Sequence, residues 1–163
     1  MSLFQNPEYC WRETFLVFFD AENRPSAHEI EAAMESLGAR YVLTNVTATD
    51  DGLFDSATLL APDDFAAMDI CYVEDDDVPE QAQETIEELQ RGDKDALAPE
   101  QAAKIRNATA RIDVLHFEQV GTTRDDLDDE GDMFDPSALI SVLETLARLT
   151  QGVAVDPQSG TVV

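Results

Sequence analysis

The sequence predicts an α+β domain: a largely antiparallel sheet with helices packed on one face, built from ferredoxin-like β-α-β pieces. Three observations carry this prediction. The unbroken apolar run Phe15-Leu16-Val17-Phe18-Phe19 stops at Asp20, and a short apolar run between polar residues reads as a strand buried on both faces. An amphipathic helix follows, with Ile30, Ala33, Met34 and Leu37 at i, i+3, i+4 and i+7. Asp50-Asp51-Gly52 then separates two strand-like segments. An Asp-Gly pair readily supplies the positive φ of a hairpin turn.

The elements follow in order. Residues 1–13 hold Pro7, Tyr9 and Trp11 without periodicity and read as an N-terminal arm that lays its aromatics on the domain. Residues 14–163 read as one α+β domain, opening with a strand over 14–19 in the middle of the sheet. Ser26 with Glu29 three residues later forms a capping box, so a helix starts at 27 and runs to 37. Gly38 stands where a left-handed closing residue belongs. A strand over 40–49 puts Tyr41 and Leu43 on one face and Val42, Val46 and Ala48 on the other. Residues 53–60 return from the hairpin, Ala61-Pro62-Asp63-Asp64 breaks the strand, and 65–73 is another strand with Asp69 its one charged member.

The acidic run Glu74-Asp75-Asp76-Asp77 enters a helix that extends to about Gln90. Asp77 and Glu80 repeat the capping pattern at the positive end of the helix dipole. Val78, Ala82, Ile86 and Leu89 form the helix's narrow apolar stripe. After the turn Arg91-Gly92-Asp93-Lys94-Asp95, Pro99 opens a helix over 99–108. Residues 112–120 form a strand and 121–132 an acidic loop. Asp135-Pro136-Ser137 starts the last and most apolar helix, which Gly152 ends. A final hairpin joins Val153–Val155 to Thr161–Val163 through Asp156-Pro157-Gln158-Ser159-Gly160.

Composition limits the partners. The chain has 163 residues, 44% of them hydrophobic, enough for a real core. Its 35 acidic residues against 10 Lys plus Arg give a formal charge of −25. A field of that sign repels nucleic-acid phosphates and anionic membranes, so neither is expected as a partner. It suits basic partners, bound cations or a salty interior. Cys10 and Cys71 set no disulfide framework, which fits a reducing, intracellular setting, with Cys71 a small core residue. The first residues lack the basic and apolar regions of a signal peptide, and no apolar stretch reaches membrane-spanning length. A cytoplasmic location is expected.

Two stretches carry resemblances. Phe18-Phe19-Asp20-Ala21-Glu22-Asn23 resembles the first motif of the NYN family of PIN-like ribonucleases, an apolar strand ending in Asp-x-Glu-Asn. The resemblance implies that Asp20 holds magnesium and that Asn23 supports it. The family's later Ser-Gly-Asp-Ser-Asp-Phe-like segment has no counterpart after a buried strand here. The C-terminal part, roughly 112–163, resembles bacterial domains of unknown function that carry a long Leu/Ala helix and a Gly-Val-x-x-Asp-Pro-x-x-Gly hairpin, here Gly152 to Gly160. It implies no activity.

Other motifs are weaker. Asp126-Leu127-Asp128-Asp129-Glu130-Gly131 resembles the start of an EF-hand calcium loop, but Ser137 stands where the bidentate Glu belongs. His28 and His116 have no Cys or His at metal-ligand spacing. There is no Gly-x-Ser-x-Gly, no Walker loop and no Gly-x-Gly-x-x-Gly. No catalytic, cofactor-binding or metal-binding residue is assigned, and no cofactor is expected. The reading is a soluble acidic protein acting as a non-catalytic binding or interaction domain, its partner another protein or a second copy of itself. The alternative is a metal-dependent nuclease centred on Asp20.

Overall fold

Strand β1 (Tyr9–Phe19) carries the apolar run and lies inside a seven-stranded sheet. The structure is a computed structural model that describes residues 3–38, 41–62, 65–92, 95, 97–119 and 137–163. After β1 come α1 (Ala27–Glu35), β2 (Val42–Ala48), β3 (Phe54–Ala61) and β4 (Ala66–Val73). Then follow α2 (Val78–Gly92), α3 (Pro99–Arg106), β5 (Ala110–Gln119), α4 (Ser137–Thr150), β6 (Val153–Asp156) and β7 (Thr161–Val162). The sheet order is β2-β3-β4-β5-β1-β6-β7, and neighbouring strands are antiparallel throughout. The α+β class and the antiparallel sheet are those the sequence predicts. Both β5 and β6 run opposite to β1, so β5-α4-β6 is a β-α-β unit with β1 inserted between its strands.

The placement of the helices on one face is corrected. Helices α1 and α4 pack on one face against Phe15, Val17 and Phe19, with Ile30, Met34, Leu139, Val142 and Leu146 in that core. Helices α2 and α3 pack on the other face against Phe18, Val153 and Val155 through Val78, Ala82, Ile86 and Ile105. Successive strand residues point to opposite faces. The unbroken run in β1 therefore has side chains to bury on each, and one helical layer cannot cover both.

Local chemistry fixes the elements as expected in several places. Ser26 Oγ accepts from Glu29 N at 3.1 Å while a Glu29 side-chain oxygen accepts from Ser26 N at 3.4 Å, a cap that contributes about 1 kcal/mol. Gly52, at φ 83°, closes the β2–β3 turn, and Thr49 N donates to Leu53 O at 2.9 Å. Asp156 Oδ1 accepts from Gln158 N at 3.0 Å and Asp156 Oδ2 from Ser159 Oγ at 2.8 Å, which holds the last hairpin turn. At the entrance of α2 the acid seen holding the turn is Asp75, two residues before the expected cap Asp77: its Oδ1 accepts from Asp77 N at 3.3 Å.

Two strands differ from the sequence reading. Strand β1 starts at Tyr9, so residues 9–13, expected in an arm, are in the sheet; they pair with β5 across a register shift between Trp11 and Glu13. Backbone pairing needs no apolar run, which is why composition did not reveal it. In β2, Asn45 takes a left-handed φ of 53° and the register shifts between Thr44 and Thr47. This bulge turns Val46 to the same core as Tyr41 and Leu43 and leaves Val42 exposed.

The end of α4 also differs. The left-handed residue is Gln151, at φ 56°, with Gly152 N donating to Ala147 O at 2.9 Å and Gln151 N to Arg148 O at 3.3 Å. This is a Schellman closure with Gln, and not Gly, in the strained position. Gly152 is needed for another reason: a Cβ there would collide with Phe18 O and lie 2.8 Å from Phe19 Cβ. Gly152→Ala is expected to cost about 2 kcal/mol by overpacking, whereas Gln151→Gly gains about 1 kcal/mol by relieving a positive φ. Urea unfolding followed by circular dichroism reads both; equal effects would refute the assignment of the two roles. The acidic loop 121–132, with its calcium-loop-like segment 126–131, and the helix start at Asp135-Pro136 lie outside the described residues.

Candidate functional site

Asp20 ends β1 at the mouth of a pocket of about 260 Å³ that Asn23, Lys104, Asn107 and Gln151 also line. Its carboxylate is used locally. Asp20 Oδ1 accepts from Glu22 N at 3.0 Å and caps the 3₁₀ turn Ala21–Asn23. Among the described lining residues Asp20 is the one carboxylate, and Lys104 brings a positive charge to the same pocket. No group of three His, Cys, Asp or Glu able to hold a metal ion occurs among the described residues. The pocket thus presents amides and an ammonium to solvent. The carboxylate set that in-line phosphate hydrolysis uses to hold magnesium is not gathered among these residues.

The two histidines are far apart in environment. His28 is exposed on α1, its Nδ1 3.7 Å from Glu31 Oε2. His116 is 1% exposed on β5, and its Nδ1 lies 3.6 Å from Glu13 Oε1. Burial lowers the His116 pKa to about 4, with Arg12 lowering it further and Glu118 opposing. The imidazole is therefore neutral at neutral pH, and its approach to Glu13 is not an ion pair there.

The cysteines are also separate. On the α2/α3 side of the sheet, a polar trough of about 270 Å³ holds Cys71, Asp69, Thr58 and Ser56. Asp69 Oδ1 accepts from Thr58 Oγ1 at 2.8 Å and Asp69 Oδ2 from Leu3 N at 3.2 Å, which ties the N-terminus to the sheet. Burial, then the charges of Asp69, Asp113 and Asp55, raises the Cys71 thiol to about 11. At pH 8 only about a thousandth of such a thiol is thiolate, so Cys71 is a poor nucleophile. Iodoacetamide at pH 8 is expected to modify the exposed Cys10 well before Cys71, read by mass spectrometry of the intact protein. Labelling of Cys71 at the same rate would contradict this environment.

A third place was not visible in the sequence. Helix α1 and strand β2 enclose a groove of about 360 Å³. Met34 and Leu43 line it, Val46 adds an apolar wall, and Glu31 and Glu35 stand on the helix side. Both glutamates are exposed. Strand β2 is the last of the sheet on this side, and the exposed Val42 lies on it. The groove exists because the Asn45 bulge brings Val46 round to α1. The one available signal was an Asn inside a strand, since Asn tolerates the left-handed conformation.

Compared with protein-family models, with curated proteins and with solved structures, the chain matches none. No helix among the described residues is long and apolar enough to cross a membrane.

Proposed function

We propose that this protein is a non-catalytic binding domain whose partner is a basic protein. The observation that carries the reading is the carboxylate surplus and where it stands. The formal charge is −25, and exposed acids follow one another along the entrance and outer side of α2, from Glu74 through Asp75, Asp76 and Asp77 to Glu80, Glu84, Glu87 and Glu88. The buried side of that helix is apolar but for Thr85, so these acids are not needed for its packing, and among them Asp75 also holds the entrance turn. Self-repulsion on this scale destabilises a compact chain. A basic partner relieves it and is steered in by the same field.

The same field supports exclusion of nucleic acids and anionic membranes as partners. Cys10 and Cys71 are free thiols, which supports a reducing compartment such as the cytoplasm. The β5-α4-β6 unit around β1 supports the ferredoxin-like reading of the fold pieces.

Selection from a random peptide-display library at low salt tests the proposal. Lys- and Arg-rich peptides are expected to be enriched, with affinity falling as salt rises. Enrichment indifferent to charge would refute it. Magnesium-dependent cleavage of single-stranded RNA, lost in Asp20→Asn, would replace it with the nuclease reading.

A further inference from the structure

The geometry points to strand β2 as the docking edge: an extended basic segment of the partner adds to the sheet there, with an apolar side chain seated in the α1–β2 groove. This rests on the reading of a basic partner and names how that partner is held.

Three features lead to it. Strand β2 pairs with β3 on one side and is the terminal strand on the other among the described residues. A terminal strand offers a row of backbone donors and acceptors that another extended chain completes. The groove beside it has the layout such a chain needs. On the α1 side of the sheet, Met34, Leu43 and Val46 supply an apolar floor. Glu31 and Glu35, one helical turn apart, line the same groove from α1.

The charge selects the occupant. Side chains at i and i+2 of an added strand share a face. An apolar residue in the groove therefore places its i−2 and i+2 neighbours on the same side, where Lys or Arg reaches Glu31 and Glu35. Val42, one of the few large apolar side chains that are exposed among the described residues, also lines the groove and adds apolar surface for the segment. A second copy of the chain is the competing occupant. It would bring another −25 against this acidic rim, so like-charge repulsion disfavours it.

The test uses the full chain and a capped heptapeptide, Thr-Lys-Thr-Leu-Thr-Arg-Thr, which carries Lys, Leu and Arg on one face. Titration followed by amide NMR is expected to move β2 and α1 signals. The double substitution Glu31→Lys with Glu35→Lys, at exposed positions, is expected to weaken binding about tenfold or more. The charge-matched control Glu100→Lys with Glu144→Lys, exposed on α3 and α4, should change it less than threefold. Two further peptides carry N-methyl groups, one on the Lys, Leu and Arg amides and one on the intervening Thr amides. Backbone pairing uses one set of amides, so one methylated peptide should lose binding and the other keep it.

If both methylated peptides bind like the parent, or the Glu100 and Glu144 pair matters as much as the α1 pair, the docking mode is wrong although a basic partner stands. If no basic peptide binds anywhere on the protein at low salt, the partner reading falls as well. A concentration-dependent dimer in sedimentation whose NMR contacts map to β2 would assign the edge to a second copy and overturn the proposal.

Discussion

Phe18→Ala should cost about 4 kcal/mol of unfolding free energy, a large part of a total that is about 5–15 kcal/mol for an ordinary domain. Phe18 is 0% exposed. It is the fully buried β1 side chain of the α2/α3 core, which it shares with Val78, Ala82, Ile86, Leu89 and Ile105, while Leu16 packs against that core from the same strand. Truncation removes its transfer free energy and leaves a cavity that two helices and a strand must collapse to fill. The loss is directional. Phe19 and Val17 belong to the opposite core with α1 and α4, so Phe18→Ala should raise amide exchange in α2 and α3 before α1 and α4. Urea unfolding gives the free energy and hydrogen exchange the direction. A cost under 1 kcal/mol, or equal loosening of all four helices, would mean that the second helical layer is not a core.

That prediction turns on a feature the sequence states clearly. Five apolar residues in a row have no polar face, and the structure covers both sides of β1 accordingly. The expectation of helices on one face did not follow that observation through: a strand buried on both faces needs cover on each, and here α1 and α4 supply one side and α2 and α3 the other. Strand β5 is subtler. Ala110, Ile112 and Val114 face the α1/α4 core, while Arg111 and Asp113 between them pair with each other at 2.7 Å on the other side. Its mixed pattern records a strand covered unevenly. The Ser26–Glu29 cap and the two hairpin turns were legible because each is made within a few residues. The β1 extension to Tyr9, the Asn45 bulge and the close approach at Gly152 were not. Each depends on a partner strand or helix distant in the chain.

The candidate site was less legible, for the same reason. Asp20 was conspicuous as the acid that ends an apolar strand, but its side chain is committed to Glu22 N and the turn it caps. Sequence marks an acid at a strand end; it does not say whether other acids converge on it. The α1–β2 groove is built from residues that each looked ordinary, namely one turn of a helix and one bulged strand. Only the fold places Glu31 and Glu35 beside Leu43 and Val46.

His116 makes the second large expectation. Its pKa is 6.5 when unfolded and about 4 in the folded chain. Between those values the unfolded state holds a proton that the folded state refuses. Stability therefore rises with pH across that window and is lost as pH falls through it. The full span is worth about 3 kcal/mol. The groups near it are Glu13 and Arg12 on β1 and Glu118 on its own strand. The profile of the native chain alone is a poor readout, because protonation of many carboxylates relieves self-repulsion over much of the same range. The difference between native chain and His116→Asn isolates the imidazole, since Asn does not titrate. That difference should narrow in the variant's favour by about 3 kcal/mol between pH 7.5 and pH 4, measured by urea unfolding at half-unit steps. Parallel profiles would show that the imidazole titrates alike in both states and is not desolvated in the fold. A difference moving the other way would show it charged in the folded chain, paired with Glu13.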